Sequence, residues 1–149
     1  MDRYLIEKCL VEHCSATLAS MKSANLFNMT FADDTDVEDQ IEFWNQCMKE
    51  KGIRQVVLSP GSRNAPLLVA FAREKQIRHF VVLDERSAAF MALGMAQQSG
   101  VPVALVCTSG TAPLNYAPAI AEAYYQRLPL IVITADRPVE WIDQDDSQT

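Results

Sequence analysis

Four short apolar runs, separated by stretches with helical periodicity, constrain the fold of this chain more than any other feature. The runs are QVVLS (55–59), HFVVL (79–83), PVALVC (102–107) and PLIVIT (129–134). Each run is nearly continuous in apolar residues, which is typical of strands that are buried on both faces of a parallel sheet. The stretches between them have the length of helices. The pattern therefore predicts an α/β fold with three layers, in which helices cover both faces of a parallel sheet.

Helices are predicted before and between these strands. A capping box formed by Thr35 and Glu38 begins an amphipathic helix, which Gly52 closes. A second helix is expected at about 66–75. A third is expected at about 88–98, with Ser87 as its N-cap. The last follows the TSGTA motif and ends near residue 127, so the predicted order is one helix, three strand–helix units and a final strand.

The first 35 residues differ from the rest of the chain. An early helical spacing gives way to Ser, Asn and Thr, so we expect residues 1–35 to be an appended helix or a loose leader of unknown role. Residues 36–149 are expected to form the domain itself. Cys9, His13 and Cys14 resemble part of a metal site, but the further ligands that a zinc site needs are missing.

Composition and charge exclude several classes of function. The 149 residues are 49% hydrophobic and 21% charged, which is enough for one soluble domain with a real core. A net charge of -6 argues against nucleic acid as a partner, because phosphate binding needs a basic face. No stretch has the length of a membrane-spanning helix. The N-terminus carries Asp2 and Glu7 and lacks the apolar core of a secretory signal, so we expect a cytoplasmic location.

A polar loop follows each predicted strand. The loops contain SPGSRN (59–64), DERS (84–87), TSGTA (108–112) and ADRP (135–138). In a parallel sheet the carboxyl ends of all strands lie at one edge, where open α/β sheets bind ligands. Each loop alone can be explained as a turn or a helix cap. TSGTA is neither a Walker loop nor a nucleophile elbow. The joint placement of the four loops predicts an anion or cofactor site.

These motifs, in this order, resemble a known family. VVLSPGSRNAPL, DERSAAFMALGMA, PVALVCTSGTAPLNYAPAIAEAYY, PLIVITADRP and DSQT together are similar to the pyrimidine-binding (PYR) domain of the MenD-type synthases, which are thiamine-diphosphate enzymes. The resemblance covers about residues 36–149. It implies a transferase of menaquinone biosynthesis. Such an enzyme decarboxylates 2-oxoglutarate on thiamine diphosphate and adds the resulting succinic-semialdehyde unit to isochorismate.

The resemblance also implies roles for individual residues. Glu85 matches the catalytic glutamate that contacts N1′ of the cofactor's aminopyrimidine. The positions that match the isochorismate site are Ser62, Arg63, Arg137 and Gln148. The positions that match the cofactor-binding loops are Pro60, Gly61, Thr108, Ser109, Gly110 and Thr111, together with Glu85. Arginine suits a carboxylate-bearing substrate because its planar guanidinium donates two parallel hydrogen bonds.

The chain also departs from the family. The Gly-Asp-Gly motif that holds Mg²⁺ in the diphosphate-binding domain is missing from these residues, so we expect no metal site here and expect the middle and diphosphate-binding domains to be absent. In the family the site lies between the PYR domain of one subunit and the diphosphate-binding domain of another, within a homo-oligomer. This chain is then expected to supply half a site. Two alternatives stay open: the PYR subunit of a two-chain thiamine-diphosphate decarboxylase, and an inactive fragment that only binds a partner chain.

Overall fold

The sheet is parallel throughout the part of the chain that can be described. The computed structural model describes residues 25–29 and 37–135. The elements are β1 (Asn25–Met29), α1 (Val37–Glu50), β2 (Gln55–Leu58), α2 (Ala65–Arg73), β3 (Arg78–Val81), α3 (Glu85–Ser99), β4 (Val103–Cys107), α4 (Thr111–Gln126) and β5 (Leu130–Ala135). The strands lie in the order β1-β5-β4-β2-β3, and each neighbouring pair is parallel. The predicted α/β fold is confirmed.

The apolar core lies in two parts, one on each face of the sheet. Successive residues of the buried strands point to opposite faces, so Val56 and Leu58 join one cluster whereas Val57 joins the other. The first cluster includes Ile41 and Met48 of α1 and Leu67 and Phe71 of α2. The second includes Ala88, Ala92 and Ala96 of α3 and Tyr116, Ala119 and Ala123 of α4. Helices therefore cover both faces, which gives the three predicted layers.

The first strand lies inside the segment that was expected to be an appended helix or a loose leader. Asn25–Met29 is instead a strand that pairs with β5, with Asn25 opposite Ile131 and Met29 opposite Ala135. Two asparagines in NLFNM interrupt the apolar pattern, which explains why the sequence does not signal a strand. Residues 1–24 and 30–36, including Cys9, His13 and the predicted cap Thr35, lie outside the described residues.

Helix α3 begins earlier than predicted, at Glu85 rather than Ala88. Its N-cap is Asp84, whose Oδ1 accepts a hydrogen bond of 2.7 Å from the backbone N of Ser87. The assignment of Ser87 as the cap was therefore wrong, because Ser87 is the donor to the cap. This hydrogen bonding also lowers the pKa of the Asp84 carboxyl group. The C-cap of the helix is Gly100, which has the positive φ of 69° that favours glycine.

No helix in the described residues is both long enough and apolar enough to cross a membrane.

Candidate functional site

A crevice is expected where β2 and β4 lie side by side. The two strands are neighbours, but the loop after β2 leads to α2 on one face of the sheet, and the loop after β4 leads to α4 on the other. Ligands of doubly wound sheets bind where connections diverge in this way. We call residues 59–64 the SPGSRN loop and residues 108–110 the TSG loop. The structure thus brings together two of the loops that the sequence predicted to form a site.

The SPGSRN loop is held in shape by Asn64, which is completely buried. Its Nδ2 donates to the carbonyl oxygen of Ser59 at 2.9 Å, and its Oδ1 accepts from the backbone N of Gly61 at 2.8 Å. The side chain therefore faces back into the loop and does not cap α2. Sequence analysis did not single out this residue. Its position just before a helix was a signal for an N-cap only.

The SPGSRN loop and the TSG loop touch at Gly61. A Cβ atom at this position would lie 2.8 Å from both Cβ and Cγ2 of Thr108, which is closer than real Cβ contacts. Only glycine therefore permits this approach of the two loops. At the other end of the TSG loop, Gly110 has φ 74° and forms the N-cap of α4. Thr111, which could have been the cap, is the first residue of the helix.

The TSG loop carries two buried hydroxyl groups without partners. Thr108 Oγ1 and Ser109 Oγ have no hydrogen-bond partner among the residues that the structure describes. Buried polar groups are nearly always paired, and leaving one unpaired costs about 1–3 kcal/mol. Unpaired hydroxyls at the loop that lines a crevice are suited to a ligand with both donor and acceptor atoms.

Glu85 lies on the other side of β2, at the first position of α3. The side chain is half-buried, and the helix N-terminus favours a negative charge there. Burial raises the pKa of the Cys107 thiol to about 12, and the charge of Glu85 contributes to that rise. The same charge also helps to raise the pKa of Tyr116, again after burial as the main cause. Asp84, and not Glu85, caps the helix.

The remaining predicted residues have less defined surroundings. Pro60, Ser62 and Thr111 are exposed, and Arg63 is half-buried. Arg137 and Gln148 lie outside the described residues, so their place in the site stays a prediction. Within residues 41–135 we find no group of His, Cys, Asp and Glu side chains that could hold a metal ion.

The sequence predicts an anion or cofactor site at this edge of the sheet, and comparison with known proteins identifies the class. Residues 42–149 match the family described as "Thiamine pyrophosphate enzyme, N-terminal TPP binding domain". This match covers more than half of the chain. The chain therefore belongs to this family of thiamine-diphosphate-binding domains.

Its relatives narrow the comparison to one type of enzyme. A protein from Porphyromonas gingivalis is 57% identical over 118 residues, which is 78% of this chain and 20% of the relative. One from Cytophaga hutchinsonii is 65% identical over 100 residues, or 67% of this chain and 18% of the relative. Both are named 2-succinyl-5-enolpyruvyl-6-hydroxy-3-cyclohexene-1-carboxylate synthase. The predicted resemblance to MenD-type synthases is confirmed, and the chain spans about a fifth of the length of these curated relatives.

Proposed function

We propose that this chain is the pyrimidine-binding part of a thiamine-diphosphate-dependent synthase. The full enzyme would add the succinic-semialdehyde unit from 2-oxoglutarate to isochorismate, a step in menaquinone biosynthesis. The observation that carries this proposal is the contact between the SPGSRN loop and the TSG loop, with two unpaired hydroxyls in the TSG loop and Glu85 at the first position of α3. The names of the relatives support the choice of reaction.

The residues of the crevice fit an aminopyrimidine ring. Such a ring is flat and carries an amino donor and ring-nitrogen acceptors. The close approach of Gly61 to Thr108 makes a narrow junction of the two loops, and the hydroxyls of Thr108 and Ser109 can donate or accept at its wall. When bound, thiamine diphosphate supplies the carbanion chemistry that decarboxylation of a 2-oxo acid requires. The proposed holders of the ring are Pro60, Gly61, Thr108, Ser109, Gly110 and Thr111.

In this proposal the carboxyl group of Glu85 exchanges a proton with a nitrogen of the aminopyrimidine ring. Its carboxyl group lies at the start of α3, while Ala88 and Ala89 in the same helix are completely buried. The group thus lies at the border between the apolar core and the ligand edge of the sheet. Placing a proton at a fixed carboxylate oxygen is general acid–base catalysis, which contributes about 10²–10⁴-fold to a rate.

The SPGSRN loop also supplies groups for a substrate that carries carboxylates. Ser62 is exposed and can donate its hydroxyl hydrogen to an incoming ligand. Arg63 follows it directly, and a guanidinium matches a carboxylate with two parallel bonds. Arg137 and Gln148 complete the proposed set for isochorismate.

The proposed site is shared with other parts of the enzyme. We place the diphosphate and Mg²⁺ on a diphosphate-binding domain contributed by a partner subunit, so that this chain supplies half of the site. This assignment is supported by the relatives, which are about five times as long as the matched region. Assembly as a homo-oligomer and a cytoplasmic location stay predictions.

A Glu85→Gln variant of the complete enzyme tests the proposal. Glutamine keeps the size and hydrogen-bonding reach of the side chain but removes the exchangeable acid proton. We expect exchange of the cofactor's C2 proton, followed by NMR, to slow by about 10²-fold or more, with the fold intact. This measurement depends on neither substrate.

Asp84→Asn is the matched control for this experiment. It changes the neighbouring charge but keeps the cap of α3, because Asn caps helices about as well as Asp. Its exchange rate should stay close to that of the wild type. Equal exchange rates in the wild type and in Glu85→Gln would contradict the proposed role of Glu85.

A further inference from the structure

Tyr116 lies beneath the crevice and is completely buried, with 0% of its surface exposed. Its hydroxyl oxygen lies 3.0 Å from the carbonyl oxygen of Val106 and 3.2 Å from Oγ of Ser59. Phenylalanine would fill the same apolar surroundings without the cost of burying a hydroxyl group. The bonds that this hydroxyl makes are therefore the feature that distinguishes tyrosine here.

These bonds join the bases of the two loops. Ser59 begins the SPGSRN loop, and its backbone N donates to the carbonyl oxygen of Val106 at 2.8 Å. Val106 lies two residues before Thr108, the first residue of the TSG loop. Tyr116 adds a link from α4 to both of these strand ends. Three elements thus meet at one point: the end of β2, the end of β4 and the first turns of α4.

The hydroxyl of Tyr116 stays protonated under all conditions in which the enzyme would work. Burial raises its pKa well above the usual value for tyrosine, and the charges of Cys107 and Glu85 act in the same direction. The phenol has one hydrogen, which it donates to the carbonyl oxygen of Val106, because a carbonyl oxygen cannot donate. The hydroxyl of Ser59 then donates its own hydrogen to the phenolic oxygen, so both contacts are hydrogen bonds.

We infer that Tyr116 is a positioning residue that fixes the spacing between the SPGSRN loop and the TSG loop. The reason is geometric: the hydroxyl fixes Ser59 relative to Val106, and these residues lead directly to Gly61 and Thr108, where the loops touch. A ligand that both loops hold then meets a slot that is already arranged. Without the hydroxyl, part of the binding free energy would be used to order the loops. The inference rests on the proposed function for the identity of that ligand.

Tyr116→Phe in the complete enzyme tests the inference with two readouts. The first is hydrogen exchange of the backbone amides in residues 59–64 and 108–110 without cofactor. The second is the dissociation constant of thiamine diphosphate, measured by calorimetry with Mg²⁺ present. We expect faster exchange in both loops and a dissociation constant raised by about 2- to 12-fold, the factor that corresponds to one intramolecular hydrogen bond.

Tyr125→Phe is the matched control, since it removes the same group from the same helix at a position that is 80% exposed. It should change neither readout. Ser59→Ala removes one of the two partners and should accelerate exchange in the same two loops. Its effect should not add fully to that of Tyr116→Phe, because the two groups are in contact. If Tyr116→Phe does not fold, the exchange rates of Ser59→Ala decide.

The possible outcomes distinguish a positioning role of the Tyr116 hydroxyl from a purely stabilising one. A lower unfolding temperature with unchanged exchange in both loops would show that the hydroxyl only stabilises the fold, and would overturn the inference. Unchanged loop exchange in Ser59→Ala, where Tyr116→Phe does not fold, would overturn it as well. Failure of the wild-type enzyme to bind thiamine diphosphate would count against the proposed function instead. Loop exchange would then decide the role of Tyr116 by itself.

Discussion

Replacing Gly61 by alanine forces apart the two loops that meet at the crevice. The new Cβ would lie 2.8 Å from Cβ and Cγ2 of Thr108, whereas ordinary contacts begin at 3.4 Å, so the loops must separate by 3.4 − 2.8, or about 0.6 Å. A β-branched side chain is stiff and cannot swing away. Relief therefore requires movement of the backbone. Overpacking of this kind costs about 1–3 kcal/mol, which lowers the ratio of folded to unfolded protein by about 5- to 150-fold.

Urea unfolding of the chain, followed by circular dichroism, measures this cost. Gly94→Ala is the matched control, because a Cβ there meets nothing within 4 Å. It lies in the interior of α3, where alanine should stabilise the helix by about 0.5–1 kcal/mol. Thr108→Gly combined with Gly61→Ala should recover part of the loss, since it removes both of the crowded atoms. Unfolding of Gly61→Ala at the same urea concentration as the wild type would refute the close approach of the loops.

Further predictions concern pH, cofactor binding and association. Burial raises the pKa of the Cys107 thiol from 9.0 to about 12 in the folded state. As the pH rises, the unfolded chain therefore loses this proton first, and the free energy of unfolding should fall between pH 9 and 12. Urea unfolding at about pH 8 and about pH 10.5 measures this fall, and Cys107→Ala should make it smaller; an equal fall in the variant would contradict the assignment. The chain alone should bind thiamine diphosphate weakly, because it spans about a fifth of its relatives; micromolar affinity in calorimetry would argue against a shared site. It should also self-associate through α3, where Phe90 and Met91 are 44% and 38% exposed; a monomer at every concentration in sedimentation would count against this.

The strands after residue 50 could be predicted from the sequence, but the expected burial of β3 on both faces was wrong, because β3 lies at the edge of the described sheet and is mostly exposed. In β4 and β5 the local signals and the final environment agree. VALVC and LIVIT are continuous apolar runs, and every residue of β4 and β5 is buried. Their alternation with helices was sufficient to predict a parallel sheet and the edge at which polar loops meet. The edge strand β1 was missed, because NLFNM has no such run and its pairing with β5 is not visible locally.

The start of α3 shows a second limit of local patterns. Asp84 and Ser87 are both good N-cap residues, and the sequence alone does not decide which of them caps α3. The structure selects Asp84, which accepts a bond from the backbone of Ser87. Asp84 therefore caps the helix and Glu85 does not.

The network beneath the crevice could not be predicted, because its members are far apart along the chain. Tyr116 and Ser59 are 57 residues apart and meet only once β2 and β4 have paired. Asn64 looked like one polar residue among several in its loop. Gly61 and Thr108 were assigned to the site by the resemblance to the family, whereas the contact between them is a property of the assembled sheet.

The position of β5 has a consequence for the order of folding during synthesis. This strand is the last of the described sheet to be made, yet it lies between β1 and β4. Asn25 pairs with Ile131, 106 residues later, so at 5–20 residues per second β1 waits for its partner for about 5–20 s. During that time β1 lacks its partner in the described sheet, and contacts of such long range form slowly. Insertion of β5 between its two neighbours is therefore the event that completes the described part of the sheet.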